Sequence, residues 1–377
     1  MDAVGLLDGV VEYGAIGDNV TSPAHAEVAK DIASNATVLL KNDGDVRGEL
    51  SMLPLQSCDG LVIVGSTFET AGGGSGKVTS YAAPLSDALS AACGVDVPTF
   101  ATLDDDDAKT AVAGAAAVVV LAGTTSSEGS DRDDLTLGDD DALVSAVAAL
   151  SSNVVVSVST PGAFLTPWSD DVQAILVTWM GGQELAYALA DILLGVVSPA
   201  GRLPLTLPNI ENEVGFTRDQ YPGIEGDPVE GCDLPCLVAN YTEGLYIGYR
   251  WYDANAVAPK YPFGHGLSYT SFAYADLVVD ASSANVTVTN AGDVAGAEVA
   301  QLYLAPPAAA GEPPRQFKGF AKTAVLAPGA SAVVTFAFDA RSFAAWGDGG
   351  WAPVPGIYRV EVGASAGDVR VNGTVAV

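Results

Sequence analysis

Apolar positions along this chain follow two different rhythms, and the change between them divides the sequence. From about residue 36 to 207, short apolar runs alternate with segments of helical spacing, the pattern of a layered α/β sheet. Leu61–Gly65, Ala116–Ala122, Val154–Val158 and Ala174–Trp179 predict buried strands. Pro84–Cys93, Asp104–Ala113, Asp139–Leu150 and Gln183–Leu194 predict helices between them, with Asp at two of the starts, where it complements the helix dipole. Such sheets carry functional loops at the carboxyl ends of their strands, which singles out the loops after Gly65 and after Ala122.

Residues 209 to about 262 lose this rhythm and become rich in Pro, Gly, Asp and aromatics, which predicts a long ordered connector. From Phe272 onward the pattern changes to short alternating strands, among them Asn285–Asn290, Glu298–Leu304, Ala332–Phe338, Ile357–Val362 and Val369–Val375. Turn signals such as Asn290–Gly292, Pro328–Gly329 and Pro355–Gly356 separate them. The predicted fold class is an α/β layered sandwich domain followed by an all-β sandwich of immunoglobulin or fibronectin III type. The expected boundaries are a linker over 1–35, the α/β domain over 36–208, a connector over 209–271 that completes it, and the β-sandwich over 272–377.

Composition narrows the partners. At 377 residues the chain is long enough for two cores, and 46 acidic against 16 basic residues give a formal charge of −30. That charge repels phosphate backbones and anionic lipid, so neither nucleic acid nor a membrane surface is an expected partner. No uninterrupted apolar run reaches the length of a membrane span. The four cysteines, Cys58, Cys93, Cys232 and Cys236, lack zinc-ligand spacing, so no metal and no cofactor is expected. Cys232 and Cys236, close together in the connector, are expected to pair with each other. Paired cysteines and five N-x-Ser/Thr sequons, at Asn19, Asn35, Asn240, Asn285 and Asn372, point to the secretory pathway or the cell exterior. The segment from Met1 to Gly9 has neither the basic stretch nor the apolar run of a signal peptide, which implies that a signal precedes Met1.

Three polar constellations compete for the chemistry. Gly72-Gly-Gly-Ser-Gly-Lys77 follows a strand, but Ala71 and Val78 stand where a phosphate loop needs Gly and Ser or Thr, so it reads as a flexible turn or a close backbone approach to a ligand. A serine hydrolase needs a Gly-x-Ser-x-Gly elbow and an activating histidine; Ser75 has the wrong flanks, His25 lies in a polar stretch with the look of an extended linker, and His265 sits between glycines in a turn. The sharpest constellation is Ser126-Ser-Glu-Gly-Ser-Asp-Arg132, at the carboxyl end of a predicted strand. There Glu128 can reach outward as a general acid while Asp131 and Arg132 brace the loop by pairing with each other; the plain alternative is a solvated charged turn.

The order of segments decides between these. Ala36-Thr-Val-Leu-Leu-Lys-Asn42, Leu53-Pro-Leu55, Glu128-Gly-Ser-Asp-Arg132, Leu135-Thr-Leu137, Gly182-Gln-Glu184, Ala190-Asp-Ile-Leu-Leu-Gly195 and Ser198-Pro-Ala-Gly-Arg-Leu-Pro204 follow one another as in family 3 glycoside hydrolases. Tyr241-Thr-Glu-Gly-Leu-Tyr-Ile-Gly-Tyr-Arg250 and Tyr261-Pro-Phe-Gly-His-Gly-Leu-Ser-Tyr-Thr270 continue the resemblance. Asn290-Ala-Gly292, Glu298-Val-Ala-Gln-Leu-Tyr303 and Phe317-Lys-Gly-Phe320 resemble that family's fibronectin III-like module.

The resemblance implies a retaining exo-glycosidase acting on terminal β-glucosyl or β-xylosyl residues of a glycoside or oligosaccharide, with one carboxylate as nucleophile and another as acid/base. It implies that Glu128 is the acid/base, that Asp131 and Arg132 support it, and that the nucleophilic aspartate sits in a Ser-Asp-Trp context on a preceding barrel. No such tripeptide occurs in the 377 residues. Residues 1–35 then correspond to the linker from that barrel, and the chain is expected to be inactive by itself. The competing expectation is a barrel-less protein that binds carbohydrate or a partner without hydrolysis. Where relatives show Pro-Gly-Gln-Glu-Gly-Gly, this chain has Met180-Gly-Gly-Gln-Glu-Leu-Ala186, with Glu184 expected to start a helix.

Overall fold

In the computed structural model, the described residues are 21–44, 51–66, 71, 73–75, 82–226, 236–347 and 349–377. The first half is organised by four near-continuous apolar strands, β2 (Leu61–Val64), β4 (Ala117–Gly123), β5 (Val154–Ser159) and β6 (Ala174–Val177). Strands that must be apolar on both sides belong in a parallel sheet covered on both faces. Among the described residues β1 (Val38–Asn42) and β3 (Thr99–Phe100) complete a six-stranded sheet in the order β1-β6-β5-β4-β2-β3, all parallel except β1, which runs antiparallel to β6.

Alternate residues of each strand feed two separate cores. Leu61, Ile63, Val119, Leu121, Val155 and Leu176 face a layer made by α2 (Leu85–Cys93) and α5 (Leu185–Leu193). Val62, Val64, Val118, Val120, Val156 and Val177 face α3 (Asp106–Gly114) and α4 (Asp139–Leu150). Each of these side chains is at most 6% exposed, and full burial of one is worth about 1.5–3 kcal/mol. Asp105 caps α3 by accepting from the Ala108 N–H at 2.7 Å.

The stretch read as an extended linker is instead helical from α1 (Pro23–Ala36) onward. Ser22 supplies the cap and Pro23 the preset first φ, two start signals that outweigh the weak apolar periodicity of the segment. The helix packs against α5, with Lys30 3.4 Å from Asp191. His25 lies in its first turn.

The connector holds a short antiparallel pair, β7 (Ile224–Glu225) with β8 (Leu237–Val238), and α6 (Tyr249–Asn255). Beyond it, β9 (Phe272–Val279), β10 (Ser283–Asn290) and β13 (Ser331–Ala337) form one antiparallel sheet of the sandwich. The other is β12-β11-β16-β17, built from β11 (Val299–Ala305), β12 (Gln316–Lys322), β16 (Ile357–Ser365) and β17 (Asp368–Ala376). A separate hairpin, β14 (Ala344–Gly347) with β15 (Gly350–Pro353), projects from this unit.

Strand β10 alternates buried and half-buried positions, whereas β11 is buried throughout. Ala300, Leu302 and Leu304 enter the sandwich core, while Gln301 and Tyr303 meet the connector. Gln301 donates to the Gly264 carbonyl at 3.0 Å, and Tyr249 stands edge-on to Tyr303. Arg202 pairs with Glu298 at 2.9 Å, and Glu298 also accepts from the Tyr274 hydroxyl at 2.9 Å. Arg315 forks onto Asp253 of α6 through two 2.7 Å bonds. The sandwich is thus fastened to the α/β unit by paired, hydrogen-bonded charges.

Cys58 and Cys93 form a disulfide that ties the entry of β2 to the end of α2. Cys236 is disulfide-bonded, and Cys232, its expected partner, lies outside the described residues.

Candidate active site

Strand order reverses between β2 and β4: the chain goes from β2 outward to β3, then returns to β4 and proceeds the other way through β5 to β6. The crevice beyond the carboxyl ends of strands at such a switch point is where α/β sheets hold ligands. The two loops flagged in the sequence both leave from this point, and the structure joins them.

Gly65, at φ +108°, lets the chain leave β2 across β4; a Cβ there would lie 2.2 Å from the Leu121 carbonyl oxygen. Further on, the Gly73 N–H donates to the Ser126 carbonyl at 2.9 Å, and the Glu128 N–H donates to the Gly73 carbonyl at 3.2 Å. A Cβ on Gly73 would stand 2.8 Å from the Ser127 hydroxyl oxygen, and one on Gly74 2.9 Å from the Glu128 Cβ. Gly73 and Gly74 therefore let one loop lie directly on the other.

The next residue contributes the side chain. Ser75 donates both its backbone N–H and its hydroxyl to Glu128 Oε2, each at 2.7 Å. These two bonds favour the charged form, so Glu128, which is exposed, is held below the usual glutamate value of 4.5. A carboxylate in this state accepts a proton and has none to give at neutral pH.

Asp131 and Arg132 do not pair with each other as the sequence reading expected. Asp131 accepts from the Tyr221 hydroxyl of the connector at 2.9 Å, and Arg132 donates to the Ala163 carbonyl at 2.6 Å. Adjacent residues on a turned loop project in different directions, and each found a partner on a different neighbouring element. The Arg132 Nη1 is buried with no acceptor among the described residues. Arg132 nonetheless lines an open cleft of about 540 Å³, together with Ser126, Ser130, Asp131 and Asp133.

The start of α4 anchors the loop from below. Asp140 accepts from the Gly123 N–H at 2.8 Å, and Asp141 accepts from the Leu137 N–H at 2.9 Å and the Trp168 indole at 2.7 Å. Partial burial pushes the Asp140 carboxyl up from its ordinary value, against the hydrogen bond that lowers it. Glu211 holds the Leu135 N–H at 2.9 Å from the connector.

Ser75, Asp140, Asp141, Glu211 and Tyr221 all escaped the sequence reading as site residues. Asp140 and Asp141 were visible only as a helix start, and Glu211 and Tyr221 carried no local signal at all. His265 is structural: it is half-buried against Tyr261, and because the Leu40 carbonyl 2.8 Å away can only accept, Nε2 carries the proton. Glu184 stands at the N-cap position of α5 without capping through its side chain.

Residues 37–269 match the glycosyl hydrolase family 3 C-terminal domain, and residues 298–366 match the fibronectin type III-like domain. The chain belongs to glycosyl hydrolase family 3. It is similar to the thermostable β-glucosidase B of Acetivibrio thermocellus, 33% identical over 94% of this chain and 49% of that protein. Among solved structures it resembles the family 3 β-glucosidase of Bifidobacterium adolescentis, at 34% identity and a TM-score of 0.82 over 96% of this chain and 55% of that one. It also resembles DesR, a β-glucosidase from Streptomyces venezuelae solved with D-glucose, at 25% identity and a TM-score of 0.85 over the whole chain and 63% of DesR. The chain thus spans about half the length, or less, of the curated relatives it matches.

Proposed function

We propose that this chain is the acid/base-bearing part of a retaining exo-glycosidase that removes terminal β-glucosyl or β-xylosyl residues, with Glu128 as the acid/base and a barrel domain as the source of the nucleophile. The observation that carries this reading is the position of Glu128, at the switch point of the sheet, on a loop locked by the Gly73–Ser75 segment.

In the first half-reaction protonated Glu128 gives its proton to the glycosidic oxygen as the bond to the anomeric carbon breaks and the nucleophilic carboxylate attacks. In the second, the resulting Glu128 carboxylate takes a proton from the water that releases the sugar. Retaining chemistry places the two carboxyls about 5–5.5 Å apart, so the acid loop must face a partner surface. Closure of that surface removes water from Glu128 and raises its affinity for the proton, reversing the state that Ser75 maintains while Glu128 is exposed. Asp131 and Arg132 act through the backbone, by tying the loop to Tyr221 and Ala163. This chain without the barrel is inactive under this reading. The Cys58–Cys93 disulfide supports residence in an oxidising compartment.

The test joins a family 3 barrel to this chain and assays aryl β-glucosides and aryl β-xylosides. Hydrolysis is expected in the fusion and absent in the chain alone. Glu128→Gln should reduce turnover of a poor leaving group by about 10²–10⁴-fold, with azide restoring turnover of a good one. An unchanged rate in Glu128→Gln rules the assignment out.

A further inference from the structure

Two indoles stand in water on the β14–β15 hairpin, far in sequence from the acid loop. Trp346 and Trp351 face each other across its register, 67% and 48% exposed. Their rings meet edge to face, 5.6 Å between centroids at 73°. The hairpin pairs with neither sheet of the sandwich among the described residues, so these side chains are not core positions displaced by a strand edge.

The hairpin is rigid at its root. Phe343 is buried between Phe338 and Tyr358, each 5.0 Å away, and the Tyr358 hydroxyl bridges the Phe343 and Val354 carbonyls at 3.2 and 3.0 Å. Just before it, Asp339 accepts from the backbone N–H groups of Arg341 and Ser342 and from the Ser342 hydroxyl. This turn fixes Arg341, whose guanidinium lies 4.4 Å above the centre of the Trp351 ring. Among the described residues no acceptor takes a hydrogen bond from that guanidinium, so its planar fork of donors is presented to solvent beside an indole face.

Water-exposed tryptophan costs solvation, and two are held on a scaffold that prevents them from folding back. A protein partner would need roughly 800 Å² of complementary surface on each side, and two indoles and an arginine do not supply it. A polyanion would meet a chain of net charge −30. The chemistry left is a neutral ligand with an apolar face and a rim of hydroxyls. A β-linked pyranose, with its hydroxyls equatorial, has axial C–H bonds on each face that sit against the negative face of an aromatic ring, and its rim hydroxyls accept from a guanidinium.

We propose that Trp346, held edge to face by Trp351, over whose ring Arg341 lies, is a binding platform for neutral β-glucan chains, separate from the acid loop. The choice of ligand class rests on the glycosidase reading above, but the site does not require Glu128.

The full 377-residue chain is run by affinity electrophoresis through gels containing hydroxyethyl cellulose, barley β-glucan or, as a polyanionic control, polygalacturonate. Retardation is expected with the neutral glucans and not with polygalacturonate. Trp346→Ala should weaken it at least tenfold, Arg341→Ala by a smaller factor, and Trp346→Phe should keep part of it. Phe320→Ala, at an exposed aromatic on β12, should bind as the parent does. Circular dichroism melts of all variants should coincide, since none of these side chains is buried. Absence of retardation on every neutral glucan, or retardation that survives Trp346→Ala, overturns the proposal, as does concentration-dependent dimerisation of the parent that Trp346→Ala abolishes. Because hydrolysis by the barrel fusion is measured independently, loss of one reading leaves the other standing.

Discussion

The acid loop and the seam beneath the sandwich are built from the same kinds of residue, carboxylates beside arginines, yet they do opposite work. At the seam, the Arg202 and Glu298 side chains are 8% and 4% exposed, and they pair with each other and with Tyr274. At the acid loop Glu128 is exposed and, among the described residues, its carboxylate is bonded by Ser75 alone, while the neighbouring arginine turns away to a backbone carbonyl. Burial makes a charged pair expensive to form and more expensive to break, which suits a joint. Exposure leaves a carboxyl free to change its protonation when a second surface arrives, which suits the acid/base role proposed for Glu128. Solvation, more than residue type, separates the two roles.

The sharpest way to break that contrast is at the seam. Arg202→Met leaves Glu298 buried beside Tyr274 without the cation it is hydrogen-bonded to, and urea denaturation should show a loss of about 3–5 kcal/mol. Adding Glu298→Leu should recover much of it, though the Tyr274 hydroxyl then loses its acceptor. If the single variant is as stable as the parent, the seam is not a buried-charge joint.

The next effect is smaller and depends on pH. Burial lowers the proton affinity of His265 below its ordinary 6.5, against the hydrogen bond to Leu40 that favours the charged ring. Between the two values the unfolded chain binds a proton that the folded chain does not. Stability should therefore decline as pH falls from about 6.5 towards the folded value and be indifferent to this group above 6.5. His265→Gln should flatten that slope in denaturation midpoints measured from pH 7.5 to 5; an unaltered slope would assign it to other groups.

Removing the Asp105 cap by Asp105→Ala should cost about 1 kcal/mol by the same measurement. Smallest in stability is Ser75→Ala, which should leave the midpoint where it was while the Glu128 carboxyl moves back up towards 4.5 in an NMR titration. If Glu128 titrates unchanged in that variant, the Ser75 hydroxyl contributes nothing to its charge and the backbone N–H alone sets it.

How much of this was legible follows from the range of the interactions. The four buried strands of the α/β sheet could be read because a strand covered on both faces must be apolar residue after residue, and α4 was placed over the same residues, Asp139–Leu150, that the structure shows. Helix α1 was missed because its alanines carry little amphipathic signal and the apolar face of α5 completes the contact. Helix α6 was hidden among aromatics and glycines, and its Asp253 makes sense only beside Arg315, 62 residues on.

The chain's own letters determined the succession of an α/β unit and an all-β unit, the family resemblance and the candidacy of Glu128, since each depends on local periodicity or on a run of neighbouring residues. Only the folded chain decided what holds Glu128, where Asp131 and Arg132 point and which charges are buried. Ser75 lies 53 residues from Glu128, and Tyr221 lies 90 from Asp131. No local pattern encodes those pairs, because the reversal of strand order that brings the two loops together is a property of the whole sheet.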